Sequence, residues 1–418
     1  MIDGLIYDWN AINAPPRPRT VMLDDETLRD GLQSPSVRTP AIDDKLRILH
    51  LIDTLGIHTA DIGLPGAGPD VRRDVERLAR EIGSQRLSVA ANCAGRTHID
   101  DVRPIAEIQQ HTGVPIEAAL FIGSSPIRQY AEGWTLEWLL RRTDDAISFA
   151  VKEGLRVMYV TEDTTRAHPD TLRAIYRCAI HAGASRICVA DTVGFATPVG
   201  AAAVVRYVAS VIAEAAAPVG IDWHGHRDRD LAVACSLAAI DAGATRVHGA
   251  ALGIGERVGN TPMDLLLVNL VLLGYLDRDL LPLDDYCRTV SRACAVPLPD
   301  NYPVLGKDAF RTATGVHAAA VVKAARKGDR ALADAVYSAI PAGLVGREQE
   351  IEIGPMSGRS NVTYWLEKRG ITATEELVDR IFHRAKRASA VLSDAEIRAE
   401  VAAVPAVRRG PPGGPPRS

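Results

Sequence analysis

The chain is 418 residues long, 47% apolar and 24% charged, with a formal net charge of −4. Those proportions suit a globular protein with a full core. The weak negative charge and 5% aromatic content offer no basic or base-stacking surface for nucleic acid and no attraction to an anionic membrane. No basic segment followed by an apolar stretch stands at the N-terminus, and no run approaches 18 apolar residues. Six scattered cysteines without a C-x-x-C pair read as buried free thiols, so a cytoplasmic protein is expected, neither secreted nor membrane-spanning.

From residue 20 to about 275, short apolar runs at 20–23, 58–63, 87–91, 116–122, 156–161, 186–190, 220–223 and 246–252 alternate with longer stretches of helical pattern. The latter include 43–56, 71–83, 136–154, 169–183, 198–217 and 231–243. Gly56, Gly83, Gly154, Gly183, Gly243 and Gly274 stand where helices should end. Strand and helix alternating in this way mean βαβ units and a parallel sheet. Eight units over roughly 250 residues predict an α/β fold, a closed (β/α)8 TIM barrel. A doubly wound sheet would need a phosphate-binding glycine turn after its first strand, and none is present. Gly253-Ile254-Gly255-Glu256-Arg257-Val258-Gly259 has its third glycine one residue late for such a turn and reads as a tight loop after the eighth strand.

An extension, 1–19, precedes the barrel of 20–275. A mostly helical C-terminal subdomain, 276–405, is expected to follow. It comprises a proline- and acid-rich stretch at 281–303, a helix at 309–327, a strand-like 348–354, a helix at 361–370 and a helical pair to about 404. The tail, 406–418, is mostly proline, glycine and arginine. It can bury nothing and is expected to be disordered.

In such barrels the active site lies on loops after the strands' C-terminal ends. Asp24 to Asp30 follow strand one, Glu162 and Asp163 strand five, Thr197 strand six, and Asn260 strand eight, while His224 and His226 end strand seven. Residues two apart in an extended segment share a face, so Gly225 points away while the two imidazoles converge. Two neutral imidazoles and a carboxylate make a divalent-metal site with room for a substrate, and Asp30 is the carboxylate nominated.

Six segments in this order resemble the DRE-TIM metallolyases: Glu26-Thr27-Leu28-Arg29-Asp30-Gly31, Glu162-Asp163-Thr164-Thr165-Arg166, Asp191-Thr-Val-Gly-Phe-Ala-Thr-Pro198, His224-Gly225-His226, Gly255-Glu-Arg-Val-Gly-Asn260 and Gly315-Val316-His317. The match covers about residues 20–370. It is closest to the Claisen-condensing group of 2-isopropylmalate, homocitrate and citramalate synthases. The resemblance implies condensation of acetyl-CoA with a 2-oxo acid on a divalent metal, held by Asp30, His224, His226 and Asn260. Magnesium, manganese, zinc and cobalt all accept such mixed ligands.

The same resemblance implies that Arg29 faces the developing oxyanion, that Glu162 lies near the reacting carbons, and that Gln33 and Thr197 contact the 2-oxo acid. Thr197 equally suits a helix N-cap before Pro198, and Asp191 suits a structural partner. His317 and Tyr337 match the post-barrel pair that removes a methyl proton from acetyl-CoA. That pair often reaches in from the neighbouring subunit, so a homodimer with shared active sites is implied. Leu64, Asn92, Phe121, Ser124, Ser125 and Arg128 are the candidates for choosing the acceptor. Arg128, if inward-facing, would suit a second acidic group.

The synthases usually carry Glu where this chain has Leu32, a residue typical of the hydroxymethylglutaryl-CoA lyases. The alternative is therefore a lyase running a retro-Claisen cleavage, although the cysteine of the lyases' loop after strand eight is missing here. A barrel retained only for binding is a third reading, opposed by the complete ligand set. The chain ends about where the leucine-sensing domain of leucine-pathway synthases would begin, which argues against feedback control of that type.

Overall fold

Eight short strands, each with most of its residues buried, form the centre of the molecule: β1 (Met22–Asp25), β2 (Thr59–Asp61), β3 (Ala90–Arg96), β4 (Ile116–Gly123), β5 (Arg156–Glu162), β6 (Arg186–Asp191), β7 (Gly220–Gly225) and β8 (Arg246–Gly249). Each pairs in parallel with the next, and β8 returns to β1 with Met22 opposite Arg246 and Asp25 opposite Gly249, closing the predicted barrel. The structure, a computed structural model, describes residues 4–12 and 20–404. The 406–418 tail lies outside the described residues.

Helices follow the strands because a parallel sheet needs crossovers: α1 (Ile42–Thr54), α2 (Pro69–Gln85), α3 (Ile99–Thr112), α4 (Pro126–Glu132), α5 (Leu136–Lys152), α6 (Pro169–Ala182), α7 (Pro198–Ala215), α8 (Ala232–Ala242), α9 (Met263–Leu272) and α10 (Leu283–Cys294). Proline starts α2, α4, α6 and α7, where the missing amide costs nothing. By length and composition α7 is apolar enough to cross a membrane, although no such stretch was expected from the sequence. Its Ala201, Val205, Val208 and Val211 are fully buried, as one face of a barrel helix requires.

Two expectations need correction and one is refined. Gly83 lies inside α2, which runs on to Gln85 and closes at Arg86 in the left-handed region, φ +55°. The acid-rich 281–303 stretch holds α10, whose Cys287, Val290 and Cys294 are fully buried, and which packs on α1. Acidic residues at a helix start, here Asp284 and Asp285, complement its dipole. Finally, residues 309–312 are not helical. They lead into a strand, since Glu350 N donates to Phe310 O at 2.9 Å.

The chain divides into two compact units. One runs from Asn10 to Leu298, beyond the expected limit of 275, because α10 belongs to it; the other comprises, among the described residues, 4–9 and 299–404. The second unit pairs β9 (Arg311–Thr312) with β10 (Glu350–Ile351) in parallel. It adds α11 (Gly315–Arg326), α12 (Arg330–Ala335), α13 (Arg359–Lys368), α14 (Glu375–Arg387) and α15 (Asp394–Ala402). Ile353, Val362, Trp365, Leu366, Leu377 and Ile381 make its core.

Candidate active site

The C-terminal ends of the strands surround a cavity of about 270 Å³. Asp30 reaches it from the 3-10 turn after β1, where the Arg29 and Gly31 amides both donate to Glu26 O, at 3.2 and 2.9 Å. His224 and His226 reach it from the end of β7. His224 Nε2 lies 3.2 Å from His226 Nε2 and 3.3 Å from Asp30 Oδ2, and His226 Nε2 lies 3.6 Å from Asp30 Oδ2. Donor atoms of all three fall within 4.8 Å of one another, all on buried residues.

The loop after β8 delivers Asn260. His226 and Asn260 form an antiparallel bridge, and Arg227 N donates to Gly259 O at 3.0 Å. Glycine is required at two turns of this loop. A Cβ on Gly259 would overlap the Gly253 carbonyl, and one on Gly255 would overlap the Asn260 amide, at φ +105° and +144°. Asn260 Nδ2 donates to Ile254 O at 3.0 Å, which aims Oδ1 elsewhere, and this buried oxygen has no hydrogen-bond partner. Buried polar atoms are normally satisfied, so the orphaned oxygen, on a residue bridged to His226, fits a ligand for a cation. The donor set, one carboxylate, two imidazoles and one amide oxygen, is the mixed kind that Mg²⁺, Mn²⁺, Zn²⁺ and Co²⁺ accept.

Electrostatics prepare the set. Burial works against the Asp30 charge, but Arg29 and the two histidines outweigh it and hold the carboxyl well below its usual range. Burial, with His224 beside it, lowers His226 to about 4, which favours the neutral imidazole that a cation needs. Arg29 is clamped: Nε donates to Asp61 Oδ2 at 2.7 Å, Nη2 pairs with Glu26, and Nη1 lies 3.4 Å from Asp30 Oδ2.

Glu26 also faces the second ring nitrogen of His224 at 3.4 Å and that of His248 at 2.9 Å. A carboxylate behind a ligating imidazole fixes its orientation. Asp61 and His248 were not singled out from the sequence, and Glu26 entered only as part of the segment after strand one. The signal available was period-two polarity in the strands, where Arg246 and His248 alternate with Val247 and Gly249 exactly as inward residues of a barrel strand must.

Other expected residues are more scattered. Glu162 lines the cavity from the end of β5, and burial raises its carboxyl. Gln33 lines its mouth. Thr197 is exposed and caps α7, accepting from Gly200 N at 3.3 Å; Thr192 lines the cavity instead. Asp191 anchors its loop, accepting from Thr165 Oγ1 at 2.7 Å and Phe195 N at 2.9 Å.

Of the six acceptor candidates only Leu64 and Phe121 line the cavity. Asn92 lies buried and donates to Asp24 Oδ1 at 2.7 Å, and Ser124 donates to the Glu162 carbonyl at 2.8 Å. Ser125 caps the extra helix α4, which carries Arg128 outward: its guanidinium pairs with Glu132 at 3.1 Å and lies over Trp134 in a neighbouring pocket. In the second unit, His317 and Tyr337 stack, both exposed, with ring centroids 4.2 Å apart.

The HMGL-like family model matches residues 20–288. A homocitrate synthase AksA from Methanopyrus kandleri is 33% identical over 94% of this chain and 92% of its own length. A probable 2-isopropylmalate synthase from the same organism is 32% identical over 88% of this chain and 70% of its own. The Bacillus subtilis HMG-CoA lyase superposes on 68% of this chain and 97% of its own, with a TM-score of 0.57 and 20% identity, which establishes the shared barrel.

Proposed function

Since this chain belongs to the HMGL-like family, in its Claisen-condensing group, we propose that it joins acetyl-CoA, a 2-oxo acid and water into a 2-hydroxy-2-carboxymethyl acid, releasing CoA. One observation carries this reading: the Asp30, His224 and His226 donors lie within 4.8 Å of one another, with Asn260, whose buried oxygen is unpartnered, bridged to His226 and a clamped arginine next to Asp30. Asp30, His224, His226 and Asn260 would hold the divalent cation, which when bound polarises the 2-oxo group as a Lewis acid. Arg29 cannot swing away, being tied to Glu26 and Asp61, so its fixed charge stabilises the oxygen that turns negative as the carbon–carbon bond forms. Glu162, with Gln33, orients the acceptor at the cavity's mouth.

His317 and Tyr337 take the methyl proton of acetyl-CoA, and water then cleaves the thioester to leave a carboxylate and CoA. The protein acts as a homodimer in which this pair serves the neighbouring barrel. All six cysteines are free thiols and five are buried, which supports a reducing, cytoplasmic setting.

The test is thiol release from acetyl-CoA with a panel of 2-oxo acids, with and without a chelator. Chelator-sensitive release is expected. Silence across the panel, with cleavage of a 3-hydroxyacyl-CoA thioester, would assign the retro-Claisen reaction instead. Asp30→Ala should lose on the order of 10³-fold in kcat together with its bound metal. Mixing it with His317→Ala should restore part of the activity if sites are shared between subunits; no recovery from a mixed dimer would refute that sharing.

A further inference from the structure

The wall facing the metal-ligand residues is apolar. Ala119, Met158 and Cys188, inward-facing on β4, β5 and β6, form a buried cluster with Val160 packed against it, and Leu64 and Phe121 extend it towards the mouth. Every guanidinium around this space is already committed. Arg29 is held by Glu26, Asp61 and Asp30. Arg257 donates to both oxygens of Asp228, at 2.7 and 2.9 Å. Below the wall, Arg246 pairs with Asp222 and Glu117, both at 2.5 Å, and its Nη2 lies 3.1 Å from Met158 Sδ, so the thioether caps it from the cavity. Arg128 faces the neighbouring pocket. The remaining charges at the mouth, Glu162 and Glu256, are acidic.

We infer that the acceptor is a 2-oxo acid with an apolar side chain and no second acidic group. The inference rests on the condensation reading above and narrows it, since relatives named for both kinds of product match this chain. A second carboxylate would have to shed its water against methyl and thioether groups with no uncommitted cation to receive it, since His248 too is already paired with Glu26 and Asp222, and would stand near two glutamates. An aliphatic side chain gains about fourfold in binding per buried methylene.

The experiment compares kcat/KM for CoA release from acetyl-CoA with 2-oxobutyrate, 2-oxoisovalerate and 2-oxoisocaproate against 2-oxoglutarate, with magnesium or manganese present. Thermal shift of the metal-loaded protein by each acid alone is measured alongside. At least ~100-fold preference for an apolar acid is expected, with stabilisation by that acid and not by 2-oxoglutarate. Equal or better turnover of 2-oxoglutarate would overturn the inference while leaving the condensation reading intact. Absence of CoA release and of thermal shift with every acid would overturn that reading, and the inference with it.

Met158→Ala should raise the preference for 2-oxoisocaproate over 2-oxobutyrate by about tenfold; an unchanged ratio would remove Met158 from the acceptor wall. Phe121→Leu, at a less buried position, repeats this test should Met158→Ala lose stability.

Discussion

The strands β7, β8 and β1 fill one side of the barrel with charge, while β4, β5 and β6 line the other side of the cavity with methyl and sulfur groups. On the charged side, Asp222 accepts from Arg186 and Arg246 at 2.5 Å and lies 3.0 Å from His248, which in turn meets Glu26 at 2.9 Å. Burial opposes the His248 charge, but Asp24, Asp222 and Glu26 outweigh it and raise the imidazole to about 10. Each charge there is tolerable only because its neighbours are present, so the ligand side is fixed by mutual necessity. The apolar side has no such interlock. Its side chains can change size without stranding a charge, and selectivity among acceptors can be tuned there without disturbing the metal ligands.

If that contrast holds, the largest effect should come from breaking the ladder. Arg246→Met would leave Asp222 and Glu117 short of a partner, and should lower the unfolding free energy by about 4 kcal/mol in urea. A loss below about 1 kcal/mol would mean that the charges are not interdependent.

Asp25, on the outer face of β1, sharpens the comparison through pH. Burial raises its carboxyl to about 7, against hydrogen bonds from Tyr286 and Thr27, whereas the unfolded chain titrates it near 4. Folding therefore favours the protonated acid: that stabilisation is complete below about pH 4 and is lost as the pH rises through about 7. Asp25→Asn keeps the shape without the charge, and should gain on the parent by about 3 kcal/mol between about pH 5 and about pH 8. A difference that stays constant over this window would show the aspartate already ionised at the lower pH.

The smallest effect belongs to the apolar wall. Val160→Ala should cost only about 1 kcal/mol, because the side chain already faces open space, and the bound-metal stoichiometry should not change. A loss of metal would mean that the two sides are coupled after all.

Strand–helix alternation determined the barrel from the sequence, because a parallel strand must be followed by a crossover and its glycine or proline punctuation is local chemistry. Period-two spacing likewise brought His224 and His226 together, and the loop glycines at 255 and 259 fit the tight turn that presents Asn260. Tertiary structure decided what local pattern cannot encode. The direction of Arg128 depends on α4, an extra helix capped by Ser125 that carries it away from the barrel interior. The limits of α10, inside the proline- and acid-rich 281–303 stretch, are set by its packing on α1. Which residues of β4, β5 and β6 face the cavity depends on how the strands tilt when the sheet closes. Composition alone cannot tell whether Met158 and Val160 line the barrel or pack on its helices, and the acceptor wall became visible only once β8 had paired with β1.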